Sequence, residues 1–318
     1  MKFANYQAFK HYIWNEYVPL PEEVTNPEEG FAPETNWARR HAPRFYRGLT
    51  AIQGHMRPGA ALLDIGTYPG SFPRLARACF SDEVKVSACG MPGTSSFHDA
   101  LSRAGIAFRA CNIDPQVVTT VEIPAGISND QIPKGLPFDP GSIDVITCME
   151  VVEHLYSLKT LFTECHRVLV PGGILYLTTN NIMDRVGLLR IFRSHDTNLD
   201  DDLDQTTVWS DANSPWRGHV RFYSIKQLAA AGARAGLASL RTGFFQQHED
   251  PDVIVWPDGG RLATVRRRLR GRGDTPPVNL RLMAQCLIHL GPRAFSHCYD
   301  THLEITFMKA RQEPSTGM

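Results

Sequence analysis

The sequence predicts an α/β fold in which helices cover both faces of a parallel β-sheet. Between Ala60 and about Asn181, short apolar runs alternate with amphipathic segments, which is the pattern of successive βαβ units. The chain has 318 residues, of which 42% are hydrophobic, and this is enough for one large domain with its own core. The first apolar run leads into a glycine-punctuated turn, LLDIGTYPGSF, at residues 62–72. Such a turn is typical of the nucleotide sites of α/β proteins.

Five strands are predicted in this central region and two more towards the end of the chain. Between the fourth and fifth strands, apolar residues from Leu158 to Leu169 recur at three- and four-residue spacing, which predicts a helix. We expect the PGG stretch at residues 171–173 to end it. Ser224 and Gln227 form a capping-box signature for a later helix, and Gly236 is placed to end that helix. In chain order, the strands are ALLDIG, VKVSAC, IAFRACNID, IDVITCM, GILYLTT, LASLRTGFF and HLEITFMKA.

The composition of the remaining segments predicts the domain organisation. Residues 1–55 are aromatic and charged, and we expect them to form an N-terminal helical cover. Residues 56–312 are predicted to form the main domain, followed by a short tail at 313–318. Two insertions interrupt this domain: a polar, turn-rich lid at about 183–217 and a basic, helical segment at about 249–300.

The charge balance and the cysteine content predict which classes of partner the chain binds and in which cellular compartment it lies. Lys plus Arg equals Asp plus Glu at 33 each, so we expect no general attraction to nucleic acid. The seven cysteines are scattered and include no CxxC pair, which favours reduced thiols in a cytoplasmic protein. No signal segment and no apolar run of about 18 residues is seen, so neither export nor a membrane span is expected. The arginine-rich stretch from Arg261 to Arg272 is a solvated helix face or a weak contact for an anionic ligand or membrane surface. Nothing in the sequence indicates an oligomeric state.

The turn at residues 66–71 does not fit the common phosphate-binding motifs. Counting from Gly66, a dinucleotide fingerprint needs glycine where Tyr68 and Ser71 stand. A P-loop needs a Gly-Lys-Ser/Thr ending, which is absent, and Pro69 removes one backbone N–H from the loop. The turn therefore predicts a nucleoside ligand without phosphates. S-adenosylmethionine fits this description, because glycines would let the backbone approach its amino-acid part.

Three further segments carry a resemblance to a known family. The stretches LPFDPGSIDVITCMEVVEHL (136–155), CHRVLVPGGILYLTTNN (165–181) and GHVRFYSIKQLAAAGARAGL (218–237) stand where such a fold would place its fourth strand and the elements after it. Together with the turn, they resemble class I S-adenosylmethionine-dependent methyltransferases over residues of about 60–248. The resemblance implies a Rossmann-like, doubly wound, seven-stranded sheet that is mostly parallel, with an antiparallel last strand.

The resemblance also implies a set of cofactor-binding residues. Asn112 stands where the family has an acidic residue beside the adenine, and an amide can hydrogen-bond an adenine edge. The second strand ends without the acidic residue that usually holds the ribose hydroxyls. The implied residues are Asp64, Gly66, Thr67 and Gly70 around the methionine part, Asn112 and Ile113 beside the adenine, and Met149 and Glu150 beside the reacting centre.

These features predict transfer of a methyl group to a small-molecule acceptor, at a hydroxyl oxygen. Such an acceptor must lose a proton, for which His219 and His154 are the candidate bases. No metal-ligand cluster with convincing spacing is seen, so metal-independent transfer is expected. Two alternatives stay open: a binding or scaffold protein that keeps the fold with little catalysis, and an NAD-dependent oxidoreductase or epimerase. The latter would show a Tyr-x-x-x-Lys pair, and the stretch after Thr147 has none.

Overall fold

A single seven-stranded sheet forms the centre of the chain. The computed structural model describes residues 1–24, 36–114, 132–181, 219, 221–245 and 302–311. The strands are β1 (Ala61–Ile65), β2 (Lys85–Gly90), β3 (Ala107–Ala110), β4 (Ile143–Met149), β5 (Leu169–Asn180), β6 (Leu237–Phe245) and β7 (His302–Lys309). Their order across the sheet is β3-β2-β1-β4-β5-β7-β6. The first five strands pair in parallel, and β7 runs antiparallel to both β5 and β6. The predicted fold class is therefore confirmed.

Helices cover both faces of this sheet. The α-helices of the described residues are α1 (Tyr6–Asn15), α2 (Pro21–Val24), α3 (Trp37–Arg40), α4 (Ala42–Ile52), α5 (Ser71–Cys79), α6 (Ser95–Arg103), α7 (Leu158–Val168) and α8 (Ile225–Arg234). Two apolar cores result, because successive strand residues point to opposite faces. Leu62 of β1 lies in one core with residues of α1, α4, α5 and α6, whereas Leu63 lies in the other with residues of α7 and α8. Val145 and Ile146 of β4 divide in the same way.

The helix predicted before β5 ends earlier than its sequence indicates. α7 stops at Val168, and the PGG stretch at residues 171–173 lies inside β5. Leu169 is already extended, with φ −65° and ψ 138°, because it pairs with Ile143 of β4. Gly172 takes a φ of +83° next to a register shift in that pairing. The PGG stretch therefore marks an irregular strand start, and the prediction that it ends the helix was wrong.

The predicted start and end of the later helix are confirmed. Ser224 and Gln227 form a reciprocal capping box at the start of α8, and Gly236 follows the helix with a φ of +84°. All five cysteines in the described part of the chain are buried and free. No helix among the described residues has the length and apolar character that a membrane span requires.

The predicted domain boundaries are not tested by this arrangement. Helices α1 and α4 share a core with the sheet, since Phe9 and Leu49 lie in the same cluster as Leu62. The predicted lid (183–217), the basic insertion (249–300) and the tail (313–318) lie outside the described residues. The division at residue 55 stays a prediction.

Candidate active site

The glycine turn after β1 lies where the ends of three parallel strands meet. Gly66 and Gly70 take φ values of +75° and +95°, and the Gly66 N–H donates to the Cys89 carbonyl at the end of β2 over 2.9 Å. A Cβ atom on Gly66 would stand 2.3 Å from Cγ2 of Val151, which follows β4. Only glycine fits this position, since it combines a positive φ with no room for a side chain. The turn therefore joins the ends of β1, β2 and β4 in the crevice where α/β sheets bind ligands.

Asp64, the last polar residue before the turn, is buried and has both carboxylate oxygens engaged. Oδ1 accepts a hydrogen bond from the Thr147 hydroxyl at 2.7 Å, and Oδ2 accepts one from the Thr67 hydroxyl at 3.0 Å. Burial raises the pKa of Asp64 to about 7, although the two hydroxyls and the Arg44 charge oppose this shift. Asp64 and Thr67, both predicted around the methionine part of the cofactor, thus hold the turn itself together.

The predicted adenine-side residues lie in the loop after β3. The Asn112 side-chain oxygen accepts a hydrogen bond from the Asp114 backbone N–H at 2.9 Å. The role of Asn112 beside the adenine stays a prediction. Ile113 is 8% exposed and belongs to the apolar core on the Leu63 face of the sheet. The Asp114 carboxylate accepts a hydrogen bond from the Tyr156 backbone N–H at 2.6 Å, which connects this loop to the segment that follows β4.

The N-terminal segment is held at the N-termini of α5 and α6 by contacts that the sequence did not predict. The Glu22 carboxylate accepts hydrogen bonds from the hydroxyls of Thr94 and Ser96 at the start of α6. The neighbouring Glu23 is buried and accepts a hydrogen bond from the hydroxyl of Ser71, the first residue of α5. Helix α2 thus connects the N-termini of the two helices that flank β2. Each contact spans a long stretch of chain, so no local pattern could have indicated it.

Met149 and Glu150 lie at the end of β4, and Glu150 is engaged by residues of β5, β7 and α4. The Glu150 carboxylate accepts a hydrogen bond from the Thr178 hydroxyl at 2.7 Å and lies 3.1 Å from His302 Nε2 and 3.9 Å from Arg44 Nη1. Burial acts to raise the pKa of Glu150, but His302 and Arg44 outweigh it and hold this pKa below its ordinary value. Met149 packs with the apolar core on the opposite face from Leu63. Glu150 therefore has its side-chain partners on β5, β7 and α4.

The two predicted catalytic histidines lie side by side just beyond β4. His154 ends the 3₁₀ turn Val152–His154, and its ring centroid is 5.0 Å from that of His219. Two hydrogen bonds fix the segment that follows His219: the Arg221 N–H donates to the Glu153 carbonyl at 3.2 Å, and the Tyr223 hydroxyl donates to the Leu155 carbonyl at 3.3 Å. Arg221 and Tyr223 thus anchor the chain so that His219 meets His154.

Glu153 lies beside the two histidines, and the sequence analysis did not predict it as a site residue. Its side chain is fully buried, and its carboxylate accepts a hydrogen bond from the Thr179 hydroxyl at 2.8 Å. Potential metal-ligand atoms of Glu153, His154 and His219 all lie within 4.8 Å of one another. In the sequence, the available signal was the adjacent Glu153 and His154 after β4. The third residue of the cluster, His219, is distant in the chain.

A family model described as a methyltransferase domain matches residues 38–242, which is more than half of the chain. The chain belongs to the methyltransferase domain family. This membership confirms the predicted family and enzyme class, and with them the predicted cofactor S-adenosylmethionine.

Relatives of this methyltransferase domain match only in part. A probable S-adenosylmethionine-dependent methyltransferase from Mycolicibacterium smegmatis is 28% identical over 168 residues, which cover 52% of each chain. A ubiquinone biosynthesis O-methyltransferase from Xanthomonas campestris is 29% identical over 96 residues, 28% of this chain and 40% of that one. The chain thus spans about half or less of the length of these two relatives. A crystal structure of an S-adenosylmethionine-dependent methyltransferase from Mesorhizobium loti aligns over 81% of this chain and 96% of that one, with 14% identity and a TM-score of 0.43.

Proposed function

We propose that this chain transfers a methyl group from S-adenosylmethionine to a hydroxyl oxygen of a small-molecule acceptor. The observation that carries the proposal is the meeting of His154 and His219 beyond the end of β4, at a ring-centroid distance of 5.0 Å. Val151, three residues before His154, contacts the glycine turn at Gly66. The cofactor crevice and the two imidazoles therefore belong to one site. The name of the partial relative from Xanthomonas campestris agrees with oxygen as the acceptor atom.

The residues around the turn fit a nucleoside joined to an amino acid. Gly66 and Gly90 form a wall without side chains, since a Cβ on Gly90 would lie 3.5 Å from the Gly66 Cα and 3.6 Å from its nitrogen. Helix α5 begins at Ser71 directly after the turn, and its free N–H groups favour an anionic carboxylate. The Asn112 amide would meet the adenine, while Asp64 and Thr67 keep the turn in shape. Bound in this crevice, S-adenosylmethionine would supply a methyl group on a sulfonium.

The remaining requirement is to orient the acceptor and remove its proton. Holding the reacting atoms in line in a site that excludes water can lower the barrier by roughly 7–11 kcal/mol. A hydroxyl must also lose its proton, and two neighbouring imidazoles are suited to assist at neutral pH. The polar lid predicted at about 183–217 lies outside the described residues. We propose that it covers the acceptor, with Trp209 and Trp216 as an apolar wall.

Two measurements test this function. Isothermal titration with S-adenosylmethionine and with NAD should show binding of the first alone, and NAD binding would support the oxidoreductase alternative. Labelled S-adenosylmethionine is then offered with a panel of small aromatic and aliphatic hydroxyl compounds and their amine analogues. Label in the hydroxyl compounds supports the proposal. Cofactor binding without transfer to any member would favour the binding-protein alternative, and transfer to amines alone would show that the acceptor atom is wrong.

A further inference from the structure

Three side chains of metal-binding type converge beside the proposed acceptor site. We propose that Glu153, His154 and His219 bind one divalent transition-metal cation. Potential ligand atoms of the three residues all lie within 4.8 Å of one another, close enough to share one ion after small side-chain movements. Glu153 is fully buried, and the two histidines are partly exposed, so an ion can approach from the histidine side. This inference replaces the expectation of metal-independent transfer, which rested on ligand spacing in the sequence alone.

The type of donor indicates the class of cation. Two imidazole nitrogens and one carboxylate oxygen suit zinc, manganese, iron, cobalt or nickel, whereas magnesium and calcium favour sites made only of oxygen ligands. Three protein ligands also leave coordination positions open, as in catalytic rather than structural metal sites. The open positions would face the half-buried histidine side, where an acceptor can enter. A site of this kind binds an oxygen of the acceptor directly.

The surroundings of Glu153 hold its carboxylate in place for this role. Oε2 accepts a hydrogen bond from the Thr179 hydroxyl at 2.8 Å, and Oε1 lies 3.4 Å from the Asn180 side-chain nitrogen. Partners of this sort, one layer behind the ligands, orient a metal-binding carboxylate. The Arg221 backbone N–H holds the Glu153 carbonyl at 3.2 Å and so positions the His219 segment as well. The Glu153 carboxylate and the backbone that carries His219 are therefore positioned by the fold.

Charge gives a second reason for a cation at this point. The side chain of Glu153 has no solvent exposure, and burying a carboxylate without a counter-charge is costly. The nearby Glu150 already engages His302 at 3.1 Å and lies 3.9 Å from Arg44. Thr179 and Asn180 offer Glu153 neutral donors. The Arg44 charge also acts on Glu153, and a divalent ion shared with the two histidines would add positive charge that offsets its burial.

A cation here would change the chemistry of the acceptor, and this part of the inference rests on the proposed function. When the acceptor hydroxyl binds the ion, its pKa falls, because the positive charge stabilises the alkoxide or phenoxide. The O–H bond then breaks, the proton goes to solvent, and the electron pair stays on the oxygen. With the ion in place, His154 and His219 would assist this deprotonation as ligands of the ion, in place of taking the proton directly. The binding of the ion itself does not depend on the acceptor.

The test measures ion binding in the full chain without any substrate. Protein treated with a chelator is titrated with Co²⁺ and, separately, with Zn²⁺ by calorimetry, and the visible absorption of Co²⁺ reports its coordination. The variants are Glu153→Gln, His154→Ala and His219→Ala, with His55→Ala as the control because His55 is exposed and far along the chain from the cluster. Circular dichroism and thermal unfolding confirm that each variant is folded. S-adenosylmethionine is titrated into the same samples.

We expect one Co²⁺ per chain in the wild type and in His55→Ala, with affinity lowered at least about 100-fold in each cluster variant, beyond what loss of a supporting residue costs. Equal affinity in the wild type and a folded cluster variant, or no stoichiometric binding in the wild type, would overturn the inference. If every cluster variant unfolds, the wild-type stoichiometry and the Co²⁺ spectrum still decide, because a spectrum without imidazole ligands contradicts this site. If the wild type does not bind S-adenosylmethionine, the proposed function is overturned instead.

Discussion

The imidazole rings of His154 and His219 lie 5.0 Å apart, held together by the hydrogen bond from the Arg221 backbone to the Glu153 carbonyl. Since both rings serve one site, their loss should have similar effects. We expect His154→Ala and His219→Ala each to lower turnover by roughly 10²- to 10⁴-fold. Cofactor affinity should be unchanged, because neither ring belongs to the glycine turn. Steady-state kinetics and calorimetry measure the two quantities. A large effect of one substitution and none of the other would show that a single histidine acts alone.

Thr179 offers a subtler test, because it acts only through Glu153. Thr179→Val keeps the shape of the side chain but removes the hydroxyl that donates to the Glu153 carboxylate at 2.8 Å. We expect Co²⁺ affinity to fall by roughly 10- to 100-fold. Thr163→Val on α7 changes the same residue type at an exposed position and serves as the control. Equal Co²⁺ affinity in both variants would mean that Thr179 does not support a metal ligand.

Gly66 tests the geometry of the cofactor turn. Gly66→Ala would place a Cβ 2.3 Å from Val151 Cγ2 at a φ of +75°. Gly105→Ala is a matched control, because Gly105 has a φ of +69° with nothing within 4 Å of the added atom. Both variants should lose about 1–2 kcal/mol of unfolding free energy from the left-handed backbone, and Gly66→Ala about 1–3 kcal/mol more from overpacking.

Only Gly66→Ala should also weaken S-adenosylmethionine binding. Urea unfolding measures the stability of both variants, and calorimetry measures their affinity for the cofactor. At Gly70 an added Cβ would meet Phe97 of α6 at 3.2 Å, a milder contact than the one at Gly66, so Gly66→Ala is the sharper test. Unchanged cofactor affinity in a folded Gly66→Ala protein would contradict the site.

Asp64 predicts a specific pH dependence of stability. Burial raises its pKa from 3.8 to about 7, so the native carboxyl keeps a proton that the unfolded chain has released across this interval. Its contribution to stability is therefore fully present below about pH 4, falls as the pH rises and levels off above about pH 7. The total is on the order of a few kcal/mol, at about 1.4 kcal/mol per pKa unit.

Asp64→Asn removes this titration and keeps an oxygen for one of the two threonine hydroxyls, while its NH₂ group can donate to the other hydroxyl. Urea unfolding at several pH values should show a smaller loss of stability from pH 4 to pH 7 in the variant than in the wild type. The same slope in both proteins would mean that the Asp64 carboxyl is ionised in the native state.

The N-terminal segment should contribute to stability through Glu23. Glu23→Ala leaves the hydroxyls of Tyr17 and Ser71 without this acceptor and Arg74 without its buried ion-pair partner. A cost of about 1–3 kcal/mol in unfolding free energy is expected. Glu83→Ala changes an exposed carboxylate and should have little effect. Urea denaturation measures the unfolding free energy of the two variants. Equal stability would show that the contacts of Glu23 do not hold α2.

The sequence predicted those features that depend on neighbouring residues. The seven strands and the Ser224 cap follow from local alternation and short-range hydrogen bonding, so they could be identified without a structure. The prediction for the PGG stretch was wrong because the pairing of Leu169 with Ile143 starts the strand, and so ends the helix, before that stretch is reached. Contacts such as Glu22 with Thr94, or Glu150 with His302, join segments that only the folded sheet brings together. The same holds for Glu153 and His219, and so the metal-type cluster could not be found from spacing.

The most direct test of the proposed chemistry uses an acceptor that carries both a hydroxyl and an amine. The measurement is which of the two groups receives the methyl group. An aromatic compound carrying both a hydroxyl and an amine, such as 2-aminophenol, is incubated with the full chain and S-adenosylmethionine labelled with ¹³C in its methyl group. NMR of the product distinguishes a methyl group on oxygen from one on nitrogen. We predict an O-methyl product that is lost on addition of a chelator and restored by a divalent transition metal. A product methylated on nitrogen, or an O-methyl product that forms equally well with the chelator present, would contradict this prediction.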